Sequence, residues 1–176
     1  MKIGLCGTMS VGKTTLVKAL SKVEQFKGYT CTTERSQYLN SLGIPLNHET
    51  TIEGQTIFLA ERVTELLQPR LITDRTIIDV MAFTNCAKKV SYMDGDAFEE
   101  YAKRFIPQYD YIFYISPEGI DIEDNGIRET DVDYRHQIDE EIQKLLLKHR
   151  PVVCTLKGST EERIKQMMKT IQFNIY

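Results

Sequence analysis

The chain has 176 residues, enough to bury a sizeable core without disulfides or metals. It carries 22 lysines and arginines against 25 aspartates and glutamates, a formal net charge of -3, which argues against a polybasic surface wrapped around nucleic acid but leaves a local basic groove possible. Hydrophobic residues at 41% and charged residues at 27% exclude a disordered chain.

Apolar runs and helical periodicities alternate along the chain. Short apolar or β-branched runs predict five strands, at residues 2–6, 29–33, 71–73, 111–115 and 152–156. Apolar residues at three- and four-residue steps predict helices, at residues 16–23, 55–67, 96–105, 131–149 and 160–171. This alternation is typical of an α/β domain with a mainly parallel sheet. Since no repeat, low-complexity tract or linker interrupts it, we expect one domain over residues 1–176.

A glycine-rich loop joins the first predicted strand to the first predicted helix. Its sequence is Gly7-Thr8-Met9-Ser10-Val11-Gly12-Lys13-Thr14, followed by Thr15, and it matches G-x-x-x-x-G-K-[ST] at every fixed position. In such a loop backbone N–H groups face phosphate oxygens, while Lys13 reaches the β and γ phosphates and the Thr14 hydroxyl binds magnesium. We therefore predict that residues 7–15 bind a nucleoside triphosphate and Mg²⁺. The absence of an N-K-x-D guanine signature favours ATP over GTP.

On this loop and its strand-helix setting, the chain resembles the P-loop nucleoside triphosphatases, and more narrowly their compact small-molecule kinases. Over the rest of its length it resembles the NadR-like and deoxynucleoside kinase-like branch. The resemblance implies a three-layer fold with a five-stranded parallel sheet of order 2-3-1-4-5, flanked by helices and closed by an arginine-bearing lid at about residues 120–137. It also implies transfer of the γ-phosphate of ATP to a nucleoside-like acceptor.

Charged pairs follow two predicted strands: Glu34-Arg35 follows the second and Asp74-Arg75 follows the third. In open parallel sheets, ligands bind beyond the carboxyl ends of the strands. Both pairs are therefore expected at the sheet edge that also holds the glycine-rich loop. Asp74-Arg75 resembles the acid-arginine pair after the third strand of nucleoside and nucleotide kinases. That likeness implies that Asp74 lies near the Mg²⁺ hydration shell and that Arg75 holds the acceptor or its phosphate. A local ion pair is the alternative.

Three further residues are candidates for the acceptor site. Glu34 resembles the glutamate of deoxynucleoside kinases proposed to accept the proton of the acceptor hydroxyl, although a surface carboxylate is the alternative. Arg35 beside it is a second candidate. Gln55 resembles a base-reading glutamine of the same kinases, because its amide offers one acceptor and two donors. A polar residue on the wet face of its helix is the alternative.

The segment from Asn125 to Arg135 resembles the lid of NadR-like kinases. Arg128 and Arg135 are seven residues apart, so a helix reaching back that far would present both guanidinium groups on one side, suited to closing over a triphosphate. Alternatively, Thr130 or Asp131 caps the helix and leaves Arg128 in the preceding loop. The loop at residues 157–160 resembles one that packs against adenine, although a helix N-cap at Ser159 or Thr160 accounts for most of its pattern.

Two other functions stay open. One is a kinase of a polynucleotide end or of a modified DNA base, which the pairs Lys88-Lys89 and Lys103-Arg104 would grip while Tyr92 and Tyr101 stack on bases. The other is a nucleotide-dependent switch or ATPase, since no apolar run ends in Asp-Asp or Asp-Glu to supply a second magnesium-site carboxylate.

The remaining features predict an ordinary cytoplasmic protein. The four cysteines lack zinc-ligand spacing, and we expect neither a metal cluster nor a disulfide. The histidines His48, His136 and His149 are isolated and are interpreted as structural or surface residues. No 18-residue apolar run occurs, so no membrane partner is expected. The oligomeric state stays open.

Overall fold

The computed structural model describes residues 1–33, 35–120 and 131–172, and one parallel sheet forms its centre. Its strands are β1 (Lys2–Cys6), β2 (Thr30–Thr32), β3 (Leu71–Asp74), β4 (Tyr111–Ile115) and β5 (Val153–Leu156). They lie in the order β2-β3-β1-β4-β5, and each neighbouring pair is parallel. The predicted α/β fold class and strand order are therefore confirmed, whereas the arginine-bearing lid stays a prediction.

Helices cover both faces of this sheet. Among the described residues they are α1 (Lys13–Leu20), α2 (Ser36–Ser41), α3 (Ile52–Glu65), α4 (Ile77–Asn85), α5 (Tyr92–Ala102), α6 (Val132–His149) and α7 (Thr160–Gln172). Short 3-10 helices lie at Glu24–Phe26, Asn47–Glu49 and Lys103–Gln108. One core packs α1 and α7 against the sheet, and the other packs α3, α4, α5 and α6 against the opposite face.

Successive side chains of each strand point to opposite faces of the sheet, and this alternation explains the two cores. In β1, Ile3 and Leu5 belong to the core with α1 and α7, while Cys6 belongs to the other. Since both faces of the sheet are covered, the central strands are mainly apolar, with Lys2 at the start of β1 and Thr73 and Asp74 at the end of β3 as polar exceptions. The predicted apolar stripe of α6 is also confirmed, because its five residues are buried: Tyr134, Ile138, Ile142, Leu145 and Leu146.

Two helices were not predicted from the sequence. In α4, every residue from Ile77 to Thr84 is buried, so the helix has no polar face and no amphipathic period. In α2, six residues are too few to display a period. The first helix begins and ends three residues earlier than predicted: it runs from Lys13 to Leu20, and Val23 instead precedes a 3-10 helix while packing on the same core.

Within the described part of the chain, none of the helices combines the length and apolarity that crossing a membrane requires.

Candidate active site

The glycine-rich loop turns back from β1 over the sheet edge into α1. Gly7 has a φ of 150° and Gly12 a φ of 85°, conformations that residues with a side chain rarely adopt. A Cβ at Gly7 would also lie 2.7 Å from the carbonyl oxygen of Ile115. The two fixed glycines of the motif therefore have a steric cause, and the loop delivers its amides to the N-terminus of α1, where phosphate is favoured.

Lys13 is held within this loop. Its ammonium donates hydrogen bonds to the carbonyl oxygens of Gly7 and Thr8, each at 2.7 Å, and the residue is only 6% exposed. The lysine charge is thereby placed at the centre of the turn.

Thr14 and Asp74 meet beside the loop. The Thr14 hydroxyl donates to Oδ2 of Asp74, whose residue is 1% exposed. The pairing of β1 with β3 puts Asp74 opposite Leu5, next to the start of the loop, and Arg62 donates to the Asp74 carbonyl at 2.8 Å. Oδ1 of Asp74 is buried and has no hydrogen-bond partner among the described residues. Paired hard oxygens, one of them unpartnered, fit the ligand preference of Mg²⁺.

Arg75 leaves the end of β3 in a left-handed conformation, with a φ of 80°. Its guanidinium carbon lies 4.5 Å from the ring centroid of Phe83 in α4, a cation-π contact. The contact orients Arg75 along the wall of the cavity described next.

A cavity of about 570 Å³ opens over the glycine-rich loop. The loop residues from Met9 to Thr15 line one end, with Asp74 and Arg75 beside them. The other end is lined by residues of α2, α3, α4 and the segment before α3: Ser36, Gln37, Leu46, Asn47, Gln55, Phe58, Val80 and Phe83. That volume is within the range of small-molecule sites.

Gln55 lies in this second end as a buried residue, not on a solvent-exposed helix face. It is 4% exposed, and its Nε2 donates to the Thr50 hydroxyl at 2.9 Å. Thr50 is itself fully buried. The amide is therefore positioned by the fold at the cavity wall.

Arg35 is placed differently. Arg35 is exposed, and its guanidinium lies 3.4 Å from a carboxylate oxygen of Glu61 and 4.4 Å from the ring centroid of Tyr38. It is not among the described residues that line the cavity. Glu34 lies outside the described residues, as does the predicted lid arginine Arg128 with most of the segment 120–137.

Arg135 lies in the first turn of α6, which Asp131 caps by accepting hydrogen bonds from the backbone amides of Asp133 and Tyr134. It is 8% exposed and donates to the carbonyl of Ile120 at 2.6 Å, while its own carbonyl accepts from the Thr8 hydroxyl at 3.2 Å. The start of α6 is thereby attached to the glycine-rich loop.

Sequence reasoning missed Asp79. This fully buried carboxylate accepts a hydrogen bond from the Gly7 amide at 3.0 Å through Oδ1. Through Oδ2 it accepts from the amide and hydroxyl of Thr76, at 2.7 and 2.8 Å. The bond from the Thr76 amide is one half of the capping box of α4, in which the Thr76 side chain also accepts from the Asp79 amide. The Thr76-x-x-Asp79 spacing resembles the capping-box signal that could have revealed it, with aspartate in place of glutamate or glutamine.

The loop after β5 combines two predicted roles. Ser159 and Glu162 cap α7 reciprocally, with the Ser159 amide donating to Glu162 at 2.7 Å and the Glu162 amide to the Ser159 hydroxyl at 3.3 Å. Gly158, Ser159 and Thr160 nevertheless line the main cavity. The same loop can therefore cap α7 and line the cavity.

Comparison with known proteins agrees with this geometry. A family model described as an AAA domain matches residues 2–163. No curated protein matches the sequence significantly. Among solved structures, NadR in complex with NR superposes with a TM-score of 0.68 at 20% identity, covering 89% of this chain and 45% of that one, so this chain spans about half the length of NadR.

Two complete kinases superpose over nearly all of this chain. Deoxyadenosine kinase from M. mycoides with bound dCTP gives a TM-score of 0.65 at 17% identity, covering 98% of this chain and 100% of that one. Thymidylate kinase from Candida albicans gives 0.67 at 15% identity, covering 98% and 91%. Likeness at this identity establishes the fold alone, which this chain shares with these kinases. The match over residues 2–163 places the chain in the AAA-domain family.

Proposed function

We propose that this protein is an ATP-dependent phosphotransferase that moves a γ-phosphate to a hydroxyl or phosphate group of a nucleoside or nucleotide. The observation that carries the proposal is one cavity whose described lining includes both the glycine-rich loop and a wall of Gln55, Phe58 and Phe83. A phosphoryl transfer needs the phosphate donor and the acceptor bound side by side, because its catalysis consists mostly of positioning the reactants and stabilising charge.

At the donor end, the loop amides bind phosphate oxygens and Lys13 supplies positive charge in a nearly water-free turn, where it is worth more than at a surface. Thr14 and Asp74 are the residues that would hold Mg²⁺, which when bound neutralises charge on the transferring phosphates.

At the acceptor end, Phe58 and Phe83 offer aromatic faces for a base, and Gln55 offers hydrogen bonds to its edge. Arg75 would bind an acceptor hydroxyl or phosphate; its contact with the Phe83 ring and the fit of its planar guanidinium to phosphate oxygens support this role. Either Asp74 or Glu34 accepts the proton of the acceptor hydroxyl. Two variants distinguish them, because Asp74→Asn alone would also weaken metal-dependent ATP binding.

The class of acceptor is inferred partly from the structural neighbours. NadR was solved with NR and with NAD and AMP-PNP, and deoxyadenosine kinase with dCTP or dATP. Each of these ligands contains a nucleoside. The cavity end lined by Gln55, Phe58 and Phe83 has the chemistry to bind such a group.

Polynucleotide phosphorylation has less support from the geometry. Lys89 pairs with Glu49 at 2.8 Å and Lys103 with Glu100 at 2.6 Å, so two of the lysines proposed to grip a strand have acidic partners. Salt-sensitive DNA binding would reinstate this alternative.

Incubation with γ-labelled ATP, Mg²⁺ and a panel of nucleosides, nucleotides and nicotinamide riboside tests the proposal. We expect label on at least one acceptor, with loss of that transfer in Glu34→Gln or Asp74→Asn. Release of inorganic phosphate alone, unchanged by any acceptor, would instead identify an ATPase or switch.

A further inference from the structure

Arg163 of α7 is a buried cation whose charge has no described partner. It is 7% exposed, and its Nη1 donates to the carbonyl of Val11 in the glycine-rich loop at 2.8 Å. Its Nε is buried without a hydrogen-bond partner among the described residues, and within that part of the chain no carboxylate pairs with the guanidinium. Burial alone lowers the pKa of Arg163 from its usual range.

Such a burial is costly. A charged group removed from water loses hydration, and that loss is offset only by an opposite charge or a full set of hydrogen bonds. One neutral carbonyl accepts one of the five N–H donors of the guanidinium. A neutral amide side chain could donate the same hydrogen bond to the Val11 carbonyl. Support of the glycine-rich loop therefore does not explain why the residue at position 163 is positively charged.

The position of Arg163 points to what supplies the missing charge. It lines the main cavity beside the glycine-rich loop, and its Nη1 lies 3.2 Å from where a Cβ of Gly12 would be. It also lines a second cavity of about 250 Å³, together with Ser116, Ile120, Leu156 and the ion pair of Glu118 with Lys157. The guanidinium therefore lies between the main cavity and a smaller one whose described carboxylate already has a lysine partner.

We propose that Arg163 binds the polyphosphate chain of the ATP donor and completes the cradle made by the loop amides and Lys13. This inference rests on the proposed function, since it assumes that ATP occupies the main cavity. The phosphate charge offsets the desolvation of the guanidinium, so the cation is costly in the empty protein and favourable in the nucleotide complex.

The test is calorimetric titration of ATP, ADP and adenosine, with Mg²⁺ present, into the wild-type protein and its variants. In Arg163→Met and Arg163→Gln the Kd for ATP and ADP should rise about 10- to 100-fold, the loss typical of a charge-assisted contact, while the weaker affinity for adenosine stays nearly constant. Arg163→Lys should retain more affinity for ATP than Arg163→Gln does. The matched control is Lys165→Met, which removes the same charge from an exposed position of α7 and should leave every Kd unchanged.

Thermal unfolding separates binding from support of the fold. Without nucleotide, Arg163→Gln should melt within a few degrees of wild type, and with saturating ATP it should gain less than wild type does. An ATP affinity of Arg163→Gln equal to wild type would overturn the role of Arg163 while leaving the proposed function intact. An equal loss of affinity for adenosine and for ATP would also overturn it. Failure of the wild-type protein to bind ATP would overturn the proposed function itself.

Discussion

The two ends of the cavity are built in different ways. The proposed donor end is built mainly on one continuous segment, β1, the glycine-rich loop and the start of α1, with Asp74 of β3 and Arg163 of α7 beside it. Buried hydrogen bonds from the Gly7 amide to Asp79 and from Lys13 to two loop carbonyls hold this segment. The proposed acceptor end is assembled from α2, α3, α4 and the segment between α2 and α3, at the start of the 3-10 helix Asn47–Glu49. A local motif thus specifies the donor end, while long-range packing specifies the acceptor end.

This difference suits the proposed phosphoryl transfer, in which one part of the cavity binds the phosphate donor and the other binds the acceptor. A polyphosphate has the same charge and shape in every triphosphate, so one rigid cradle serves for all of them. Acceptors differ in shape and hydrogen bonding, so their site is made from side chains that can vary without disturbing the loop. Damage to the donor end should therefore abolish the reaction, and damage to the acceptor end should change its selectivity.

The largest effect is expected at Lys13. Lys13→Met removes the charge at the centre of the loop, and we expect kcat/KM for transfer to fall by at least about 10³-fold, or about 4 kcal/mol. Lys22→Met, an exposed change just after α1, is the control. Turnover of Lys13→Met comparable to that of the control would remove the donor end from the mechanism.

The next effect tests whether the loop depends on α4. Asp79→Asn keeps one oxygen but turns an amide N–H₂ toward either the Gly7 or the Thr76 donor. We expect a loss of about 2 kcal/mol in the free energy of unfolding, from urea denaturation, together with weaker ATP binding. Asp96→Asn, on the exposed face of α5, is the control. Unchanged stability would show that Asp79 does not anchor the loop.

At the acceptor end, Gln55→Leu should weaken binding of the acceptor and leave binding of ATP unchanged. Loss of the amide should raise the KM for the acceptor about 10-fold, the equivalent of one hydrogen bond, with the Kd for ATP unchanged. Gln68→Leu, an exposed glutamine after α3, is the matched control. A change in ATP affinity that equals the change in acceptor KM would erase the distinction between the two ends.

The smallest effect lies outside the cavity, where α5 meets α6. Burial acts to raise the pKa of Glu99, but hydrogen bonds from Lys148, Asn85 and His149 outweigh it and hold that pKa below its usual value of 4.5. A carboxyl with a lowered folded pKa contributes stability above its unfolded pKa and loses it as the pH falls through the folded one. Glu99→Gln should therefore cost about 1 kcal/mol at pH 7 and progressively less below pH 4.5.

The control for this experiment is Glu100→Gln. The Glu100 side chain is 57% exposed against 9% for Glu99, so its pairing with Lys103 should contribute little. If Glu99→Gln lowers the free energy of unfolding by the same amount at every pH, the variant has lost packing contacts and not a charge interaction.

The sequence predicts the donor end and the sheet far better than the acceptor end. The loop residues and the apolar strands are readable because their pattern is local, as with residues 111–115, which form β4 as predicted. The helix α4 was missed because it is buried on all sides, and Asp79 and Phe83 were missed with it. Arg163 was missed because 152 positions separate it from Val11, a contact that no local pattern signals. Gln55 was found through resemblance, but its burial against Thr50 required the fold.

Titration of magnesium-loaded ATP into the wild-type protein and Lys13→Met, followed by calorimetry, tests the central claim most directly. If the turn between β1 and α1 binds polyphosphate, the wild-type protein should give saturable one-to-one binding, and the variant should give none at the same concentrations. Absence of heat with the wild-type protein, confirmed by equilibrium dialysis, or equal affinity in both proteins, would contradict the claim.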